Sequence, residues 1–145
     1  MEVTIWTWII ALAGIMIIGL LGSLEFIALL KPRSQWTIDN VYNGSPDATD
    51  PKAFFALNQG LAWVDVVFWA PLQVLASLGM ILGAKWGVLL GLMASVPFWY
   101  TAVVLFVWDR DLGFRQNTLF YWIVVWGMFP AYGVIEGVYC FSRLL

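Results

Sequence analysis

Four long apolar runs separated by short polar breaks dominate the chain, at residues 5–30, 61–82, 86–108 and 119–141. A hydrocarbon layer about 30 Å thick is crossed by roughly 20 helical residues, so each run is long enough to span one. Backbone groups in lipid must satisfy one another, and runs of this length exceed the strands of a membrane barrel, which leaves helix as the spanning form. With 62% hydrophobic and 11% charged residues, and a mean hydropathy of +0.85, too little polar surface remains to wrap a water-soluble core. The expectation is an all-α polytopic membrane protein: one domain over residues 1–145, a four-transmembrane-helix bundle with a folded loop between helices 1 and 2.

The first run opens with Glu2 instead of a basic cluster and is too long for the core of a signal peptide, so it is read as a retained span. One cysteine, Cys140, excludes an internal disulfide and a two-cysteine redox centre. Histidine is absent, which removes the commonest haem and zinc ligand, and no cofactor or metal is expected. The acidic balance, with a pI near 4.8, offers nucleic acid no basic face. Ser-His and Cys-His pairs are impossible and no phosphate-binding loop appears, so any catalysis would rest on carboxylates. Tyr100, Tyr121, Tyr132, Asn58 and Asn117 are their candidate hydrogen-bond partners. Whether the protein is an enzyme stays open.

Residues 31–59 form the one long polar stretch, punctuated by Pro32, Gly44, Pro46 and Pro51. Its apolar members Trp36, Val41, Tyr42, Phe54 and Phe55 predict a cap that folds back on the bundle. Asp50 and Pro51 suit the start of a short amphipathic helix, and Asn43 opens a weak glycosylation sequon. The "GAKW" turn makes helices 2 and 3 an antiparallel hairpin. Lys31, Arg33, Lys52, Arg110 and Arg115 fall on one side, Lys85 and Arg143 on the other. Positive charge favours the cytoplasmic side, which puts loops 1 and 3 in the cytoplasm and both termini outside. Glycines at 83, 87 and 91, at 133 and 137, and at 14, 19 and 22 predict close helix contact within the bundle or in a homodimer.

Two acids stand inside apolar runs at matching depth. Asp65 lies in "GLAWVDVVFWAPLQ", one turn inside helix 2, and Glu25 lies in "GSLEFIALLKP", near the end of helix 1. Gly14, Ile18, Leu21 and Glu25 follow a helical spacing that faces the bundle. Burying a carboxylate at a helix centre costs on the order of 3 kcal/mol, and neither helix supplies a base beside it. Two such groups share a proton or hold a cation between them. Aromatic faces attract a desolvated cation, and Phe68 and Trp69 lie three and four residues beyond Asp65. The plainer alternative has both acids reach the interface or pair with Lys31, Arg33 or Lys52. On helix 4, Trp122, Trp126, Phe129, Gly133 and Glu136 form one stripe, and Glu136 is expected to make a structural ion pair with Lys85 or Arg143. The run Asp109-Arg110-Asp111 reads as a solvated loop.

These motifs resemble the EXPERA-type family, the four-helix membrane proteins that include the sigma-two receptor and the emopamil-binding sterol isomerases. The likeness rests on "EFIALLKP", on "DVVFWAP" with its acid six residues before a proline, on "GAKW" and, more faintly, on "FPAYG". It implies a lipophilic pocket open to the membrane, with Glu25 and Asp65 as its acids and amines or sterols as its ligands. The isomerases' histidine has no counterpart here. The function expected is binding of a lipophilic, cationic or sterol-like small molecule in an intramembrane pocket. Its walls would be Phe68, Trp69, Trp99, Tyr100, Trp122 and Trp126, and its partners membrane lipids and that ligand. The alternatives are a small dimeric exporter of lipophilic cations and an accessory subunit of a larger membrane complex.

Overall fold

A computed structural model describes residues 2–42, 51–111 and 119–145, and these are helical, with no strand among them. Four rods make the bundle. Helix α1 is Ile5–Leu30 and a short α2 is Gln35–Asn40. Helix α3 runs from Pro51–Val64 through a π segment, Asp65–Trp69, into Ala70–Ile81. Helix α4 is Lys85–Asp111. Helix α5 runs from Leu119–Tyr121 through a π segment, Trp122–Met128, into Phe129–Leu144. The rods alternate in direction, with α4 packed against both α3 and α5, and α1 against α3. Each contains a stretch long and apolar enough to cross a membrane: Ile5–Leu30, Lys52–Ile81, Lys85–Val107 and Trp122–Leu144. The outward faces are apolar too, with Met16, Val67, Val96, Val103, Ile123 and Val138 all exposed. An apolar exterior of this extent suits lipid and not water.

Local sequence accounts for the helix ends. Thr4 and Thr7 cap α1 reciprocally: each backbone N–H is bound by the other's hydroxyl, at 3.0 and 3.3 Å. Pro32 follows the Lys31 cap and cannot extend the helix. Ser34 caps α2 through the Thr37 N–H at 3.2 Å, and the Thr37 hydroxyl donates back to the Lys31 carbonyl at 2.9 Å. Pro51 does begin a helix, as expected, but that helix is not short. It continues unbroken into the second span, whose amphipathic first turns carry Phe54 and Phe55. The cap then closes as a small core of Ala28, Ile38, Tyr42 and Phe54, with Val41 and Phe55 packed on it. Asn43, Asp50 and the 112–118 connection, Arg115 and Asn117 included, lie outside the described residues; Arg110, expected in a solvated loop, belongs to the last turn of α4.

The α3–α4 hairpin turns through Gly83, the one described glycine at positive φ (69°). The Ala84 N–H reaches the Gly79 carbonyl at 2.9 Å and the Gly83 N–H reaches that of Met80 at 3.0 Å, a Schellman closure. Gly83 therefore serves the turn and is not part of a helix ridge. Gly87 instead meets Gly79 backbone to backbone, Gly91 meets Cys140 and Met80, and Gly133 meets Phe98 and Ser95. These close approaches are all inside the bundle.

Candidate functional site

Glu25 and Asp65 line the same cavity, about 490 Å³ in volume, between α1, α2, α3, α4 and α5. Each is half-buried. The wall comes from regular stripes. Helix α1 supplies Leu21, Leu24 and Glu25, and the first part of α3 supplies Asn58, Leu61 and Asp65 at spacings of three and four. Helix α4 adds Thr101 and Leu105, and α5 adds Tyr121, Val124, Val125 and Phe129. The cap closes one end with Trp36, Asp39, Asn40, Val41 and Tyr42. Among the described residues, no lysine or arginine lines it.

Two π segments border this space, and each ends just before a proline. The Ala70 N–H bonds the Asp65 carbonyl, and the Phe129 N–H bonds that of Val124, both five residues back. Pro71 and Pro130 bring no N–H to the next turn, so the ladder ahead of them is already short of donors. Single wide turns of this kind recur where helices line functional sites.

The wide turns also decide which aromatic rings reach the cavity. Trp69 does: it is 1% exposed and lines the wall, and its indole N–H donates to the Ala94 carbonyl at 3.2 Å. Phe68 does not, being 58% exposed on the outer surface. An α-helical projection puts Phe68 and Trp69 on either side of Asp65. The wider π turn carries Trp69 over Asp65 and swings Phe68 away. The expected α5 stripe breaks for the same reason, since Trp122 is exposed and Trp126 packs on Phe106 and Trp122, their centroids 5.5 and 5.9 Å away. On α4 the inward stripe is Phe98, Thr101 and Leu105, so Trp99 and Tyr100 face outward. Of the six rings expected as walls, Trp69 alone takes that place.

Trp69, Phe98, Phe129 and Tyr132 form the floor of the cavity as an edge-to-face cluster, with Trp69–Phe98 at 4.6 Å and Phe98–Tyr132 at 5.0 Å. Such pairs favour one fixed arrangement over a fluid one. Beyond the floor lies Glu136, wholly buried, and the expected ion pair with Lys85 is replaced there. Lys85 is exposed at the start of α4, while Glu136 accepts a hydrogen bond from Gln73 Nε2 at 2.7 Å. Arg143, the other candidate, donates to the Glu2 carbonyl and lies over the Tyr139 ring. Gln73 is eight residues beyond Asp65, the last acid in its span, and sequence spacing alone did not single it out.

Tyr42 is the residue that sequence reading undervalued. It is 5% exposed, it lines the cavity, and its hydroxyl has no hydrogen-bond partner among the described residues. Burial, and then the charge of the Glu25 carboxylate, push its phenol above the ordinary value of 10.0. It therefore stays a neutral donor, unspent, beside an acid. Its signal was its place in the polar loop, one of few rings there among prolines and turn residues. Asp39, which also lines the cavity, is held by Gln35 Nε2 at 2.8 Å.

Among the described residues no cluster of three acids, cysteines or histidines has metal-binding geometry. Searches against family models, curated proteins and solved structures found nothing that matches this chain.

Proposed function

We propose that the protein binds a lipophilic, cationic small molecule of amine or sterol-like shape in this cavity. One observation carries the reading: Glu25 and Asp65 share a cavity of about 490 Å³ with no lysine or arginine among its described lining residues. Small-molecule sites typically enclose about 300–1,000 Å³ and combine an apolar wall with a few polar groups. Here the apolar wall is Leu21, Leu24, Leu61, Leu105 and Phe129, and the polar groups are two carboxylates and the free Tyr42 hydroxyl. A cation between the acids relieves their repulsion, and the Trp69 ring beside them offers it a further attraction. The EXPERA resemblance assigns ligand contact to the same two acids. The protein would sit in the membrane with residues 31–50 and 112–118 on the cytoplasmic side.

Asp65→Asn keeps the side chain's shape and removes one charge. Losing a buried charge partner costs roughly 2–5 kcal/mol, about thirtyfold or more in affinity. Melting curves of wild type and Asp65→Asn, with and without a lipophilic amine, test this. The amine should raise the wild-type midpoint and have much less effect on the variant. An equal shift in both would end the reading.

A further inference from the structure

Glu136 on α5 and Gln73 on α3 meet beyond the aromatic floor, and both are 0% exposed. One bond joins them, from Gln73 Nε2 to Glu136 Oε1 at 2.7 Å. The remaining oxygen of each, Gln73 Oε1 and Glu136 Oε2, is also buried and receives no hydrogen bond. The neighbouring donors are committed elsewhere. From α5, the Tyr132 hydroxyl stands beside Glu136 and accepts from Gln73 Nε2 at 3.4 Å, but it donates to the Ile10 carbonyl at 3.0 Å; the Cys140 thiol points to Met80 Sδ at 3.8 Å. From α4, the Ser95 hydroxyl donates to the Leu92 carbonyl at 2.7 Å. On α1, the Thr7 hydroxyl pairs with that of Tyr139 at 2.5 Å. Ser77 on α3 lies at the edge of hydrogen-bond reach from Gln73 Nε2, at 3.5 Å. Among the described residues, Tyr132 and Cys140 are the titratable side chains that neighbour Glu136, and no lysine or arginine does.

A carboxylate here would be a desolvated charge with no cation, and two acceptors on adjoined side chains would both go unmet. One proton answers both costs. A protonated carboxyl is a donor as well as an acceptor, and its planar edge matches a primary amide through two parallel bonds. We propose that Glu136 is a proton-binding site: Oε2 carries the proton and donates it to Gln73 Oε1, closing a ring with the bond already present. Gln73 positions the proton, and the neutral pair joins α3 to α5 where the Tyr132 hydroxyl ties α5 to α1. Release of the proton would leave a carboxylate facing an amide oxygen, so the loaded form is the one that holds this junction shut.

Glutamate occurs only at positions 2, 25 and 136. The E2Q/E25Q variant, grown with side-chain-labelled glutamate, therefore carries Glu136 as its one labelled carboxyl and leaves the junction untouched. Isotope-edited infrared spectra in lipid at neutral pH should show the carbonyl band of a protonated carboxyl. Carboxylate bands alone would overturn the proposal. Adding Gln73→Leu should move that band upward, because the carbonyl loses its donor, and an unmoved band would overturn the pairing. The measurement needs no ligand, so it stands or falls separately from the cavity's binding role.

Discussion

A buried hydroxyl beside a carboxylate makes Tyr42 a reporter of the cavity. Its folded phenol titrates above 10.0 because burial and the Glu25 charge both disfavour phenolate. The unfolded chain therefore ionises first as pH rises past that value, and stability contributed by neutral Tyr42 falls above it and is constant below it. Titration of the Tyr42 ring carbon by NMR should give a midpoint above 10.0 in wild type and a lower one in Glu25→Gln. An unchanged midpoint would mean that Glu25 does not face Tyr42. Gln73 carries a different kind of weight. Gln73→Leu leaves Glu136 buried without its donor, a loss expected to cost about 1–3 kcal/mol. Chemical or thermal unfolding in detergent should register it, and a variant as stable as wild type would show that the bond adds nothing net.

At the scale of elements, glycines set how closely the rods approach. A Cβ on Gly87 would run into the Gly79 and Met80 backbone, which cannot yield as a flexible side chain can, whereas one on Gly19 meets open space. Gly87→Leu should therefore lower the melting midpoint sharply, while Gly19→Ala should leave it unchanged or slightly higher. Similar midpoints for the two would show that α3 and α4 do not touch there. The helices themselves were legible because apolar runs of this length admit one structure. Glu25 and Asp65 were legible because a charge inside such a run stands out and antiparallel helices match their depth. The rings were not. Phe68 and Trp122 were placed by α-helical spacing, and both sit in π turns where that spacing fails. Pro71 and Pro130 were visible as the signal, since each leaves the preceding turn a donor short, but a proline does not say where the extra residue enters. Glu136 was read through charge and assigned to Lys85, when the partner was an amide on another helix.

The whole molecule places its polar features at different depths along one axis. Asp39, Glu25 and Asp65 line the cavity toward the end where α1 and α4 finish and α3 begins. The aromatic floor follows, and Gln73 with Glu136 lies beyond it. Lys31, Arg33, Lys52 and Arg110 share the cavity's end, while Lys85 and Arg143 mark the other. Among the described residues that is four cations against two, the bias behind the proposed orientation; on that proposal a ligand would meet the acids from the cytoplasmic leaflet. Single cysteines at Asn40, Gln116, Leu82 and Leu145, in a Cys140→Ala background, separate the two parts of that statement. Labelling of intact cells with a membrane-impermeant maleimide should modify positions 82 and 145 and spare 40 and 116 until the membrane is opened. A pattern with the two pairs exchanged would reverse the orientation and leave the bundle intact. Positions 40 and 116 on opposite sides would remove a span from the middle of the chain, and Glu25 and Asp65 could then no longer face one another across a single cavity.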